Sequence, residues 1–357
     1  MIDKYVNKKL QKGDARRRAP VFDIPPKEKW LDLFEREEYG VRPPECEQRL
    51  TFSVVDHIEF EDTVGEKVFM YYRDLPMEFH LWSPKNAEKA VKCFFLILHP
   101  SAYRAKDIWA HPEQITDYCP IDMVIKRGHA VAVILCGTVA DDNKNGRSSG
   151  IFSKINRPQT PDSWGVLSAW AWAVQKAADF VERDDRFDRR SFAVIGHSRG
   201  GKTALLAAAY DSRFALAVSS NSGNSGAAMS RGNKGETIRD IVERFPYWFC
   251  DNYKKYADNE SALPFDQFML LSLIAPRRIY VTSATRDLWA DPVGELLSCR
   301  MATPYFEQTG VPGLIAPDII APDVNYDQGN IAYRRRNGKH ELTHDDWQSI
   351  MDYFERF

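Results

Sequence analysis

Residues 191–211, SFAVIGHSRGGKTALLAAAYD, decide how the rest of the chain is read. Residues 192–195, closed by Gly196, form a short apolar run of the kind that makes a buried strand, and the alanine- and leucine-rich residues 203–210 predict a helix. Between them stands Gly196-His197-Ser198-Arg199-Gly200. A G-x-S-x-G pattern between a strand and a helix is an elbow, in which the glycines let the backbone turn sharply enough to expose the Ser198 hydroxyl at the edge of a sheet. The rival reading makes Ser198 a simple cap of the following helix; the strand before it and the helix after it favour the elbow.

Outward from the elbow, residues 92–99 (KCFFLILH) and 130–136 (AVAVILC) are continuous apolar runs, the pattern of strands buried on both faces. A long helix is predicted from about 162 to 183, where Val166, Trp170, Val174, Ala177 and Val181 make one apolar face. Within it, Trp164 and Trp172 read as packing residues rather than a sugar platform. Residues 214–219, 278–283 and 330–336 supply further strands, and 343–357 a closing helix. Residues 51–84 alternate apolar and polar between turn signals, which predicts antiparallel strands opening the sheet. The sum is an α/β protein, a three-layer sandwich of the α/β-hydrolase type with a mostly parallel central sheet and helices on both faces. Residues 1–50 are charged and proline-bearing, with a short helix expected at 29–38, and read as an arm laid on a single domain of residues 51–357. Residues 137–163 and 309–328 read as loops. At about 224–268 the chain leaves the sheet with an aromatic cluster of Phe245, Tyr247, Trp248, Phe249, Tyr253 and Tyr256, either a substrate rim or the insertion's own small core.

The 48 basic and 50 acidic residues are mixed along the 357-residue chain, giving a net charge of −2 with no basic stripe for nucleic acid. No apolar run approaches the roughly 20 residues of a membrane span. No signal-peptide pattern opens this numbering, which fits a cytoplasmic chain or one whose signal has been removed. Six cysteines form no C-x-x-C pair, and Cys93 and Cys136 fall in apolar runs where buried free thiols are expected. The eight histidines are scattered, so neither a metal site nor a cofactor is suggested.

A serine hydroxyl needs a base within hydrogen-bond reach and a carboxylate that holds the base in the right tautomer. In this fold the chain order is nucleophile, acid, histidine. His340 follows the last strand and precedes the closing helix, the position of the base; His344, inside that helix, reads as solvated. Asp287 lies on the loop after the preceding strand. Its competitor Asp291 precedes Pro292, which favours a turn role. The oxyanion donors expected are the backbone N–H of Arg199 and one from the loop 100–103. Lys202, one helical turn after Ser198, is expected to face the same way.

The segments GHSRGGKTAL (196–205), WGVLSAWAWAV (164–174), NSGNSGAAMSRGNKGET (221–237), FPYWFCDNYKKY (245–256) and ALPFDQFMLLSLIAPRRIYVTSATRDLWADP (262–292) resemble the bacterial glucuronoyl esterases of carbohydrate esterase family 15, over roughly the last two thirds of the chain. The resemblance implies cleavage of the ester joining a 4-O-methylglucuronic acid side group of xylan to an alcohol, as at lignin–carbohydrate links, with broad tolerance of the alcohol. It also implies that the Arg199 side chain assists at the oxyanion, and that Lys202, Glu236 and Trp289 hold the uronate hydroxyls. Of these Glu236 stands in a charged segment, where a glutamate usually faces solvent. Many members use a glutamate after the strand that follows the elbow as the acid, others an aspartate on the later loop. Here the first position is Asn221, so the resemblance implies Asp287. Fungal members carry a disulfide between the residue before the serine and the one after the histidine; this chain has His197 and Glu341 there. The rival functions are an acetyl esterase or other carbohydrate deacetylase, and a non-catalytic carbohydrate-binding relative.

Overall fold

Along the strand Val91–Leu98, Phe94, Leu96 and Leu98 join one apolar cluster with Trp347 and Phe354, while Phe95 and Ile97 join another with Trp170, Phe192 and Phe214. Successive side chains of a strand point to opposite faces, so a strand apolar at every position needs cover on both sides. The computed structural model, which describes residues 2–102, 108–116 and 118–357, supplies it with helices on each face of a ten-stranded sheet.

The strands are β1 (Thr51–Glu59), β2 (Thr63–Tyr72), β3 (Leu75–Pro84), β4 (Val91–Leu98), β5 (Ala130–Leu135), β6 (Phe187–His197), β7 (Phe214–Ser220), β8 (Arg278–Ala284), β9 (Asn325–Tyr326) and β10 (Ile331–Arg336). They lie in the order β1-β2-β3-β5-β4-β6-β7-β8-β10-β9. From β5 to β10 the pairs are parallel, and β1, β2 and β3 add an antiparallel flank. After β4 the chain moves to β5 on one side and then to β6 on the other. Such a reversal opens a crevice at the carboxyl ends of the strands, and the loops that follow β4, β6, β7, β8 and β10 carry His99, Ser198, Asn221, Asp287 and His340.

Several boundaries differ from the sequence reading. The elbow helix spans Arg199–Tyr210 and begins at once after the serine, because the N–H groups of Gly201 and Lys202 already bond to Ser198 O at 2.9 and 3.2 Å. The long helix is Val166–Val181; residues 162 and 165 instead tie to the arm, through Val41 N–H to Asp162 O at 2.7 Å and Gly165 N–H to Tyr39 O at 2.9 Å. That cover buries the helix on nearly every side, Trp172 donating to Cys46 O and Trp170 to Ala140 O. Trp164 and Trp172 are core residues. The first fifty residues contain a helix missed by the sequence reading, Ile2–Arg16. Its Asp14 makes a two-pronged, fully buried pair with Arg335, at 2.9 and 2.8 Å, and Arg17 reaches Asp291 at 2.5 Å. All six cysteines are buried and free.

Candidate active site

The elbow has the strained backbone its sequence calls for. Ser198 sits at φ 56°, ψ −125°, a conformation that costs a non-glycine residue about 1–3 kcal/mol and persists only where the surroundings enforce it. The enforcement is steric. A Cβ on Gly196 would stand 2.1 Å from Gly200 O, and one on Gly201 would stand 2.9 Å from the Ser222 Cβ, so strand, helix and the loop after β7 meet here at backbone contact. Ser198 N–H donates to Ser220 O at 2.8 Å. The Ser198 side chain makes no capping hydrogen bond to its helix, which sets aside the cap reading. The N–H groups of a helix's first turn lack intrahelical acceptors, and Arg199 opens this one.

Beside the serine, His340 Nδ1 lies 2.6 Å from Asp287 Oδ2, and that oxygen also accepts from the Asn221 side-chain amide at 2.8 Å. Asp287 Oδ1 takes the N–H of Ala290 at 3.3 Å, which fixes the carboxyl plane. Asp287 is buried, whereas the His340 side chain is 42% exposed, so the face of the base away from the acid is open to the cleft. Asp291 turns elsewhere: at φ 53° it caps the helix Pro292–Glu307 and accepts from Arg17 and from the Lys234 N–H. His344 is exposed at the start of the closing helix (His344–Phe354), bonded to Thr116 O at 3.0 Å.

Arg199 is gripped by groups that the sequence reading did not single out. Its guanidinium pairs with Asp142, lies 4.7 Å from the Trp248 ring centre and 5.3 Å from that of Phe245, and leaves its Nε buried without a partner. Asp142 is held by Trp248 Nε1 at 2.9 Å. Asp142 falls in what reads as a polar loop, where no periodicity or motif marks it. Lys202 does not line either cavity that holds Ser198. Buried behind the wall of the cleft, it spends its ammonium protons on Ser222 O, Asn224 O and, at 2.8 Å, Glu236 Oε2. Glu236 is therefore buried and paired rather than solvated. Of the sequence-predicted oxyanion loop, residues 100–102 form a short turn, and Tyr103 lies outside the described residues.

Two cavities meet at Ser198, Arg199 and His340. One, of about 160 Å³, is walled by Asn221, Glu236, Phe245, Trp248 and Trp289. The other, of about 660 Å³, is walled by His99, Tyr118, His197, Leu342 and His344. The two buried histidines on this second side, His99 and His197, are kept neutral. Burial, then the neighbouring Arg199 and His340, pushes His99 down to about 3, and burial, with His340 next, holds His197 well below the ordinary histidine range.

A family model described as "Glucuronyl esterase, fungi" matches residues 103–310, more than half of the chain. Among characterised proteins, "Carbohydrate esterase MZ0003" from an unknown prokaryotic organism is 41% identical over 236 residues, 65% of this chain. The chain spans 54% of that relative's length. Among solved structures, a glucuronoyl esterase from Solibacter usitatus superposes with a TM-score of 0.83 at 29% identity, over 95% of this chain and 98% of that one. A promiscuous CE15 esterase from the marine bacterial metagenome superposes at 0.84 with 30% identity, over 96% and 98%. Sequence match and superposition agree, and the chain belongs to the glucuronyl esterase family.

Proposed function

We propose that the protein is a serine esterase that cleaves esters of glucuronic or 4-O-methylglucuronic acid, the uronate entering the small cavity and the alcohol leaving through the large one. Residues 51–357 form the catalytic unit in this reading, and residues 1–50 brace it. Ser198 Oγ attacks the ester carbonyl while His340 Nε2 takes its proton; His340 then returns the proton to the departing alkoxide. Water repeats the sequence on the acyl-enzyme and releases the uronic acid. Asp287 holds His340 in the tautomer with Nδ1–H and stabilises the imidazolium that forms. The backbone N–H and guanidinium of Arg199 face the developing oxyanion.

The observation that carries this reading is the 2.6 Å contact between His340 and Asp287 on the same cleft as a serine held at positive φ. Around the small cavity, Glu236, fixed by Lys202, supplies an acceptor for sugar hydroxyls, and the half-exposed Trp289 supplies a ring face. The test is hydrolysis of benzyl glucuronate beside p-nitrophenyl acetate, with Ser198→Ala as control. Preference for the uronate ester, lost in the control, is expected. Preference for the acetate would move the protein to the deacetylases, and a wild type that turns over neither would overturn the esterase reading.

A further inference from the structure

A single hydrogen bond fixes one atom of an imidazole and leaves the ring free to swing about it. His340 is held at Nδ1 by Asp287, and its plane needs a second support. His197 provides a surface for that purpose, with ring centres 4.4 Å apart and planes inclined by 51°.

His197 is itself tied to the same carboxylate. The Thr282 hydroxyl donates to Ser220 Oγ at 3.1 Å, and the Ser220 hydroxyl donates to Asn221 Oδ1 at 3.3 Å. Asn221 Nδ2 donates to Asp287 Oδ2 at 2.8 Å, the oxygen that meets His340. With the Ser220 proton committed to Asn221, His197 Nδ1 is the donor in its 3.1 Å contact with Ser220 Oγ. A circuit thus runs from His340 through Asp287, Asn221 and Ser220 to His197 and closes where the two rings meet. We propose that His197 is a positioning residue for the base, a ring that fixes the plane of His340 and is itself aligned by the carboxylate that orients it.

Neutrality matters because a cation at 4.4 Å would oppose protonation of His340 at the moment the serine loses its proton. Burial keeps His197 uncharged, and the charged or titratable groups around it, His340, His99, Arg336 and Arg199, act in the same direction. The inference rests on the reading of His340 as the base, so the experiment separates the two.

Steady-state kinetics on benzyl glucuronate are compared for wild type, His340→Ala, His197→Ala, His197→Phe and His197→Asn, with melting temperatures alongside. His340→Ala tests the base. If it retains activity near that of wild type, the parent reading falls. For His197→Ala, kcat falls about 10- to 100-fold with KM within twofold, the signature of a misplaced group rather than a lost substrate contact. Phe keeps the ring and loses the donor; Asn keeps a donor at the Nδ1 position and loses the ring. Phe is expected to recover most of the loss and Asn little of it. A folded His197→Ala enzyme with kcat within threefold of wild type overturns the proposal, as does recovery by Asn in place of Phe. Should the Ala variant not fold, the Phe and Asn pair decides. A third measurement needs neither variant nor turnover. In ¹⁵N-histidine spectra of the wild type, the His197 ring stays neutral at pH values where a free histidine has taken up its proton, and a His197 that titrates like a free histidine overturns the proposal.

Discussion

The two sides of Ser198 are built to different standards. On the small-cavity side each side chain is already held: Glu236 by Lys202, Trp289 by Arg244 stacked 4.8 Å from its ring centre, and Phe245 by Trp248, parallel at 3.8 Å. On the large-cavity side the inner wall of His99 and His197 is buried and held, but the rim is loose: Glu341 is exposed and His344 rests on one backbone carbonyl. Holding groups in place before a ligand arrives removes the ordering cost from binding, so the rigid side is where selectivity is economical. On the proposed reading the enzyme recognises the acid it acylates with and is permissive towards the alcohol it releases. Variants on the two sides should therefore separate in what they change.

The largest effect belongs to the machinery both sides share. Asp287→Asn is expected to lower kcat by up to about 10⁴-fold on uronate esters and on p-nitrophenyl acetate alike, because the amide presents an N–H to His340 and favours the wrong tautomer. Equal losses on both substrates place Asp287 in the common step. A loss of tenfold or less would move the acid's role to another carboxylate. Trp289→Ala comes next and should divide the substrates. Trp289 is 42% exposed, so the fold survives its removal. KM for benzyl glucuronate is expected to rise about tenfold, the upper end of what an aromatic face contributes, with p-nitrophenyl acetate unaffected. Equal change on both substrates would show that the small cavity does not recognise the sugar.

The contrast also explains what the sequence could reveal. That Ser198, His340 and Asp287 would meet at one cleft was legible because chain order and a backbone constraint dictate where such residues stand: the elbow needs Gly196 and Gly200, and Pro292 marks Asp291 as a turn residue. The parallel sheet was legible because residues 92–99 and 130–136 are apolar at every position. For Lys202, helical spacing gives a direction around the axis but says nothing of the carbonyls of Ser222 and Asn224 or the Glu236 carboxylate, which take up its ammonium behind the cavity wall. Glu236 was read as a site residue only through the resemblance, with a solvent-facing glutamate as its rival, and no local signal shows the buried Lys202 that settles its burial in the cavity wall. Asp142 and His197 carry no local signal. Each acts through a partner far along the chain, Arg199 for the first and His340 for the second. The helix Ile2–Arg16 was missed because much of its stability comes from tertiary contacts such as Asp14 with Arg335, and its own sequence is mostly polar.

The smallest effect is expected on the permissive side. His344 lines both the large cavity and a further one of about 700 Å³ walled in part by Phe60 and Trp82. His344→Ala loses one hydrogen bond to Thr116 O from an exposed residue, so stability should move by no more than about 0.5 kcal/mol. If the alcohol meets only loosely ordered groups, kcat/KM for methyl and benzyl glucuronate should both stay within about threefold of wild type, since a contact that was never preorganised gives little when made and costs little when lost. A tenfold or greater change confined to the benzyl ester would break the comparison. It would show that the large cavity grips its occupant as the small one does, and that the open walls around His344 order themselves only when an aromatic alcohol is bound.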